Sequence, residues 1–180
     1  HSALDRNKRN GQKLAVLFCD LDGFKQVNDA DGHAAGDEVL RVTADRLRAT
    51  LRAEDTAARL GGDEFVVILE PASRASSVET PVGADVYGAI VAERIRKAIA
   101  QPISYEGRSL TVTVSIGMTI TRAGSDPESV LREADSAMYR AKAEGKNQYQ
   151  VFGEAPAAPD VATSADGHEH RACNAAADRK

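Results

Sequence analysis

The stretch Leu60-Gly61-Gly62-Asp63-Glu64-Phe65 decides the fold around it, because two glycines run directly into two carboxylates. The apolar run 65–69 follows at once. A glycine pair lets the backbone turn with positive φ and can join two short strands into a hairpin. We therefore predict a hairpin whose tip holds an acidic side chain rigidly, beside backbone groups that are open to a ligand.

A second stretch of the same character lies earlier in the chain, at Cys19-Asp20-Leu21-Asp22-Gly23-Phe24-Lys25. It predicts a strand that ends in acids and is followed by a glycine. Two acidic strand ends beside glycine-opened backbone suit a site for Mg²⁺ and a nucleotide, because Mg²⁺ takes carboxylate oxygens together with phosphates. Asp20 and Asp63 are the candidate ligands. For either acid alone, an ordinary turn carboxylate is the alternative.

Composition narrows the class of protein. The chain has 180 residues, 42% of them hydrophobic, and a formal charge of −4, which is typical of one globular domain with a real core. The absence of a basic excess disfavours nucleic acid as a partner. No apolar run approaches the ~18 residues of a membrane span, and no signal peptide is visible. Cys19 and Cys173 lie far apart, so we expect no disulfide framework and a cytoplasmic setting.

The spacing of apolar residues predicts alternating strands and helices. Their order predicts a mixed, largely antiparallel sheet with helices packed on it. The predicted strands are 13–19, 56–60, 64–69, 110–121 and 148–152, and the predicted helices are 36–52, 85–100 and 126–144. Residues 71–83 read as a polar, mobile loop.

These motifs, in this order and spacing, resemble the GGDEF domain of the diguanylate cyclase family over residues 12–152. The resemblance implies an α+β, ferredoxin-like fold akin to nucleotide cyclase and polymerase palm domains. It implies that two GTP molecules condense to cyclic di-GMP and two pyrophosphates with Mg²⁺ (or Mn²⁺) at a homodimer interface. Residues 1–11 then read as the end of a helix and a linker, 12–152 as the catalytic domain, and 153–180 as a disordered tail or linker.

The resemblance also implies roles for the acidic residues. Asp20, Asp63 and the backbone carbonyl of Leu21 would hold the metal, and Asp63 would take the 3′-hydroxyl proton. Glu64 joins the catalytic set, although it follows Asp63 along a strand and is expected to point elsewhere. Asp22 would share a strand face with Asp20 and support it.

Substrate contacts follow from the same resemblance. Lys25 would stabilise transition-state charge, with the backbone of Gly23 and Phe24 beside it. A carboxylate that accepts from guanine N1–H and N2–H₂ selects guanine over adenine, because adenine lacks that donor pair. The remaining substrate residues are Lys142 and Lys146 for the terminal phosphates, and Asn28, His33 and Asp37 for the base. A turn asparagine and a helix N-cap are the alternatives for Asn28 and Asp37.

A separate Arg-x-x-Asp pattern at Arg52 and Asp55 matches the family's inhibitory product site, with Arg94 as a secondary arginine. Its alternative is a surface ion pair at a helix end. The pair His168 and His170 is discounted as a metal site, because no further ligands cluster near it. Two rival functions remain: a non-catalytic receptor for GTP or cyclic di-GMP, and a cyclase that makes a monomeric cyclic nucleotide. Any membrane attachment would come through domains outside this chain.

Overall fold

The computed structural model describes residues 13–70, 83–122 and 124–153. The predictions for 1–11, for the tail, for most of the loop 71–83 and for His168 and His170 lie outside these residues. The strands are β1 Ala15–Asp22, β2 Thr56–Gly61, β3 Glu64–Leu69, β4 Ile103–Tyr105, β5 Arg108–Leu110, β6 Thr113–Ile120 and β7 Tyr149–Val151. The helices are α1 Phe24–Asp31, α2 His33–Thr50, α3 Ala84–Ile99 and α4 Pro127–Ala143.

The fold is α+β, with a mixed five-stranded sheet in the order β2-β3-β1-β6-β7. Strand β1 lies at its centre and pairs antiparallel with β3 and β6, whereas β7 pairs parallel with β6 at the edge. Strands β4 and β5 form a separate two-stranded hairpin. The predicted class, a mainly antiparallel sheet flanked by helices, is confirmed.

The two faces of β1 bury different helices, because successive side chains of a strand point to opposite faces. Leu17 and its odd-numbered neighbours pack in the cluster that includes residues of α1, α2 and α3. Val16 and Phe18 pack with Val130 and Met138 of α4. The even-numbered face continues to Asp20, which therefore lies on the side of the sheet covered by α4.

Gly117 lets α4 lie close to the centre of the sheet. It sits opposite Phe18 in the β1–β6 ladder. A Cβ at this position would collide with the backbone of Ala134 and Met138, and would come within 2.9 Å of the carbonyl carbon of Ala137. A clash with helix backbone cannot be relieved by rotating a side chain, so glycine is required for this approach.

The sequence-based boundaries differ from the structure in three places, and one helix was not predicted. Strand β1 extends beyond the apolar run 13–19 to Asp22, which finds hydrogen-bond partners inside the sheet, so the prediction that this strand ends in acids is confirmed. The helix predicted from residue 36 begins at His33, and α1 was not predicted. The single strand predicted for 110–121 is divided into β5 and β6. The N-cap of α4 is confirmed, since the Asp126 side chain accepts from the Ser129 N–H at 3.0 Å.

Candidate active site

Asp20 occupies a nearly buried position in β1 and is 7% exposed. Burial raises the pKa of its carboxyl group, and the nearby charges of Asp63 and Asp22 raise it further. The ammonium of Lys142, at the end of α4, donates to Asp20 Oδ2 at 2.7 Å and lowers the same pKa. The carboxylate is thus a buried acid that needs a cation beside it.

The hairpin tip brings Asp63 to the same place. Gly62 turns the chain with φ 52°, and the Asp63 carbonyl accepts from the Leu21 N–H at 3.3 Å. This hydrogen bond places the backbone of Asp63 beside the residue that follows Asp20, and the charge of Asp63 raises the pKa of Asp20. Only one glycine of the pair has a positive φ, since Gly61 is the last residue of β2.

The donor set fits a hard divalent cation. The carboxylate of Asp20 in β1, that of Asp63 in the β2–β3 turn and the backbone of Leu21 lie close together. Oxygen donors of this kind are what Mg²⁺ prefers. Within 13–70, 83–122 and 124–153, no group of three or more His, Cys, Asp or Glu side chains could hold a metal ion. The remaining ligands would therefore have to come from substrate phosphates and water.

Glu64 lies directly opposite Asp20 across the β1–β3 ladder. Side chains of directly opposed residues project from the same face of a sheet, so Glu64 belongs to the face that carries Asp20. The expectation that it points elsewhere was wrong for this reason. Its predicted catalytic role stays a prediction.

The start of α1 offers backbone donors beside the acids. Gly23 precedes the helix with φ 84°, a conformation that side chains rarely adopt, and no side chain caps the first turn. Free N–H groups at a helix N-terminus attract anions. Phe24 is half-buried and Lys25 is exposed, so the lysine side chain is free to extend toward a ligand here.

The predicted base-binding residues gather at the α1–α2 turn. Asn28 lies in α1, and His33 and Asp37 lie in the first two turns of α2. The N-cap of α2 is Gly32, so the alternative role of Asp37 as an N-cap is wrong. Sequence reasoning missed Gly36, where a Cβ would lie 2.9 Å from Asn28 Cγ and closer still to its amide oxygen. Glycine at this position makes room for the Asn28 side chain.

A groove of about 550 Å³ runs between α2 and the β2–β3 hairpin. Asp37 and Leu40 line one part of it, and Arg52 and Asp55 line another. Its floor includes Leu47 and the other apolar side chains Leu51, Ala57, Ala58 and Phe65. It does not include Asp20 or Asp63. Asp37, the candidate contact for guanine, therefore lines this groove, whereas the two acids lie outside it.

The predicted inhibitory residues come together around a tyrosine that sequence reasoning missed. Asp55 Oδ2 accepts from the Arg52 N–H at 3.0 Å and from the Tyr87 hydroxyl at 2.8 Å, and the Arg52 guanidinium carbon lies 4.3 Å from the centre of the Tyr87 ring. Burial, and then the Asp55 contact, raise the pKa of Tyr87 to about 12, and the charge of Arg94 acts in the opposite direction. We call Arg52, Asp55, Tyr87 and Arg94 the arginine–tyrosine cluster. The helix-end ion pair considered as an alternative is replaced by a cation–π contact.

Lys146 lies on the exposed loop of residues 144–148 that joins α4 to β7. Its N–H donates to the carbonyl of Ala141 at 2.9 Å, and its φ is 63°. Lys142 and Lys146 therefore flank the end of α4, one paired with Asp20 and the other exposed.

No helix of the described residues is long and apolar enough to cross a membrane.

The chain belongs to the family described as diguanylate cyclase, GGDEF domain, which it matches over residues 1–148. It is 41% identical over 151 residues to MucR of Pseudomonas aeruginosa, a bifunctional diguanylate cyclase/cyclic di-GMP phosphodiesterase, covering 83% of this chain and 20% of MucR. The GGDEF domain of TpbB from P. aeruginosa matches with a TM-score of 0.74 and 35% identity, covering 86% of this chain and 91% of that one.

The GGDEF domain of DgcB from Caulobacter crescentus, solved in complex with c-di-GMP, matches with a TM-score of 0.74 and 27% identity, covering 85% of each chain. These matches make the fold the nucleotide cyclase-like palm fold of GGDEF domains. The chain spans about a fifth of the length of MucR.

Proposed function

We propose that this chain is a diguanylate cyclase domain, which condenses two GTP molecules to cyclic di-GMP and two pyrophosphates. The observation that supports this most is that Asp20 of β1 and Asp63 of the β2–β3 turn lie near each other, next to Lys142. Family membership and the intact motif from Gly61 to Phe65 support the same activity. The carboxylate of Asp37, which lines a groove of about 550 Å³, supports a guanine nucleotide as the substrate.

In the proposed reaction, the 3′-oxygen of one GTP attacks the α-phosphorus of the other. The new bond is a phosphodiester, the bond to the β-phosphate oxygen breaks, and pyrophosphate leaves. The same step repeated in the opposite sense closes the ring. A divalent cation held by Asp20, Asp63 and the Leu21 carbonyl would acidify the attacking hydroxyl and neutralise phosphate charge.

The chain's own residues would do the rest. Asp63 would accept the 3′-hydroxyl proton, while Lys142, Lys146 and the N–H groups that follow Gly23 would bind phosphates. Lys25 would stabilise the charge that develops in the transition state. Asn28, His33 and Asp37 would orient guanine so that the ribose and α-phosphate stay in place.

Each domain would present one GTP, so two domains facing each other are needed for turnover, and we propose a homodimer. The arginine–tyrosine cluster would bind the product, because an arginine suits the O6 and N7 edge of guanine and a carboxylate suits its N1 edge. Binding there would inhibit the enzyme. The complex of the DgcB domain with c-di-GMP supports product binding within this family.

Incubation with GTP and Mg²⁺, followed by chromatography, tests the proposal. Wild type is expected to give cyclic di-GMP with a rate per molecule that rises with protein concentration, while Asp63→Asn and Asp20→Asn give none. Asp135→Asn, at an exposed acid of α4 outside both candidate sites, is a matched control and should keep wild-type activity. A monomeric cyclic nucleotide as product, or no product from a chain that still binds GTP, would contradict the cyclase assignment. The second result would favour the receptor function.

A further inference from the structure

The loop that joins α4 to β7 holds three consecutive residues in the left-handed region. The φ angles are 118° for Gly145, 63° for Lys146 and 47° for Asn147. Glycine adopts such angles freely and asparagine tolerates them, but for lysine they cost free energy. Contacts of the neighbouring residues must therefore offset this cost and hold the loop.

Asn147 supplies those contacts, because it is held from two other elements. Its backbone N–H donates to Asp22 Oδ2 of β1 at 3.1 Å. Its side-chain oxygen accepts from Arg96 Nη1 of α3 at 3.2 Å. The loop is thus fastened both through its backbone and through a side chain.

Both anchors are themselves held by further hydrogen bonds. Asp22 is 8% exposed, and its carboxylate also accepts from Ser115 Oγ and Thr113 Oγ1, each at 2.8 Å. Arg96 is held by a bidentate contact with Glu93, with both N–O distances at 2.8 Å. A charged group with several fixed partners has little freedom to follow a moving loop, so it can hold the loop in place.

We propose that Asp22 and Arg96 are positioning residues that fix Asn147 and thereby aim the neighbouring Lys146 at the triphosphate of the substrate. This rests on the proposed function, since it requires that the site bind GTP. Asp22 acts here through hydrogen bonds to the sheet and the loop, and not as a ligand of the metal. The charge of Asp22 is therefore less important than its two acceptor oxygens.

The substitution Asp22→Asn separates these two roles. The amide oxygen can still accept from Asn147 and Thr113, and the amide nitrogen can donate to the Ser115 hydroxyl, which accepts as well as donates. Asp22→Ala removes every one of these contacts. A positioning role predicts that the asparagine variant retains binding and that the alanine variant loses it.

The readout is the affinity of the whole chain for α,β-methylene-GTP compared with GMP, each with Mg²⁺, by titration calorimetry. Affinity for the triphosphate is expected to fall by on the order of tenfold in Asn147→Ala, Arg96→Ala and Asp22→Ala, as for a lost hydrogen bond to a charged group. GMP, which lacks the terminal phosphates, should stay within about twofold. Asn147→Gly keeps the backbone angle and loses only the Arg96 contact. Its affinity for the triphosphate should therefore lie between those of wild type and Asn147→Ala.

Lys97→Ala is the matched control, because Lys97 also pairs with Glu93, at 3.3 Å, yet does not touch Asn147. It should bind both nucleotides as wild type does. In a Lys146→Ala background, Asn147→Ala should cause no further loss, since the lysine it positions is gone. Asn147 is exposed, so its variants test the inference even if Asp22→Ala proves unstable.

Three results would overturn the inference. The first is an equal loss of GMP and triphosphate affinity in the alanine variants, and the second is an unchanged ratio of the two affinities in Asn147→Ala. The third is a loss of triphosphate affinity in Asp22→Asn as large as that in Asp22→Ala. If the wild-type chain binds the triphosphate, and the ratio of triphosphate to GMP affinity is the same in the variants, only this inference is contradicted. A wild-type chain that fails to bind the triphosphate contradicts the proposed function and the inference together.

Discussion

Lys142 Nζ lies 2.7 Å from Asp20 Oδ2 and joins the last turn of α4 to the C-terminal part of β1. Asp20 is also a candidate metal ligand, and Lys142 is also a candidate phosphate contact. The ammonium and a divalent cation would therefore compete for one carboxylate, and the lysine would be released toward the phosphates when the cation binds.

This competition predicts opposite effects of Lys142→Met on the two ligands. Affinity for Mn²⁺ without nucleotide should rise by about fivefold, because a partly exposed ion pair that opposes binding contributes on the order of 1 kcal/mol. Affinity for a GTP analogue should fall. Electron paramagnetic resonance titration of free Mn²⁺ measures the first effect, with Lys146→Met as the control that leaves Asp20 paired. A lower Mn²⁺ affinity in Lys142→Met would contradict the competition.

The contact between Tyr87 and Asp55 predicts a late-titrating phenol. The pKa of Tyr87 is raised to about 12, first by burial and then by its hydrogen bond to Asp55. A raised pKa means that the folded state holds the proton more tightly, so its contribution to stability is complete below pH 10 and is lost between pH 10 and 12. The chain has four tyrosines, so ultraviolet titration at alkaline pH should show one that ionises last.

Tyr87→Phe should remove that last phase and leave the other tyrosines unchanged. Persistence of the late phase in this variant would assign it to another residue.

Because the ring of Tyr87 lies under Arg52, the phenylalanine variant should keep part of the cation–π contact and lose only the hydroxyl contact with Asp55. Cyclic di-GMP affinity should therefore fall less for Tyr87→Phe than for Tyr87→Ala.

The sequence predicted most elements of the sheet because their signals are local. The hairpin of β2 and β3 follows from glycines between apolar runs, and the N-cap of α4 follows from Asp126 before a proline. Helix α1 was missed because it is only eight residues long and buries a single side chain, that of Val27. A strand that ends in acids was predicted from residues 19–25, but a local pattern does not contain the distant partners of Asp22 in β6 and the α4–β7 loop.

Residues of the candidate site divide in the same way. Acids in a recognisable motif, such as Asp63, could be predicted from sequence. Tyr87 could not, since its partner Asp55 lies 32 positions away. Asp22 was predicted as a support for Asp20, but its partners Thr113 and Ser115 were not, since they lie 91 and 93 positions away. A weak signal did exist: Thr113 and Ser115 alternate with apolar residues in a buried strand, which indicates that their hydroxyls have a polar partner inside the sheet.

Gly36→Ala should destabilise the domain by about 1–3 kcal/mol, because the added methyl group collides with the Asn28 side chain. The colliding group is a side chain, so the double variant Asn28→Ala with Gly36→Ala should recover much of that stability. It should not recover affinity for guanine nucleotides if Asn28 contacts the base. Thermal unfolding and GMP titration measure the two effects separately, and a double variant no more stable than Gly36→Ala would place the clash elsewhere.

Gly117→Ala provides the contrasting case, because the atoms that a Cβ would meet belong to the backbone of α4. No side-chain substitution can relieve this clash, so the helix must move away from β6 or the domain must unfold. We expect a loss of about 3 kcal/mol or more in the free energy of unfolding. Any displacement of α4 also separates Lys142 from Asp20, so folded material should have lost the ion pair and the GTP affinity that depends on it. Gly61→Ala is the matched control, since nothing lies within 4 Å of its added Cβ, and its thermal stability should stay close to wild type. A Gly117→Ala variant with wild-type stability would show that α4 does not need this close approach.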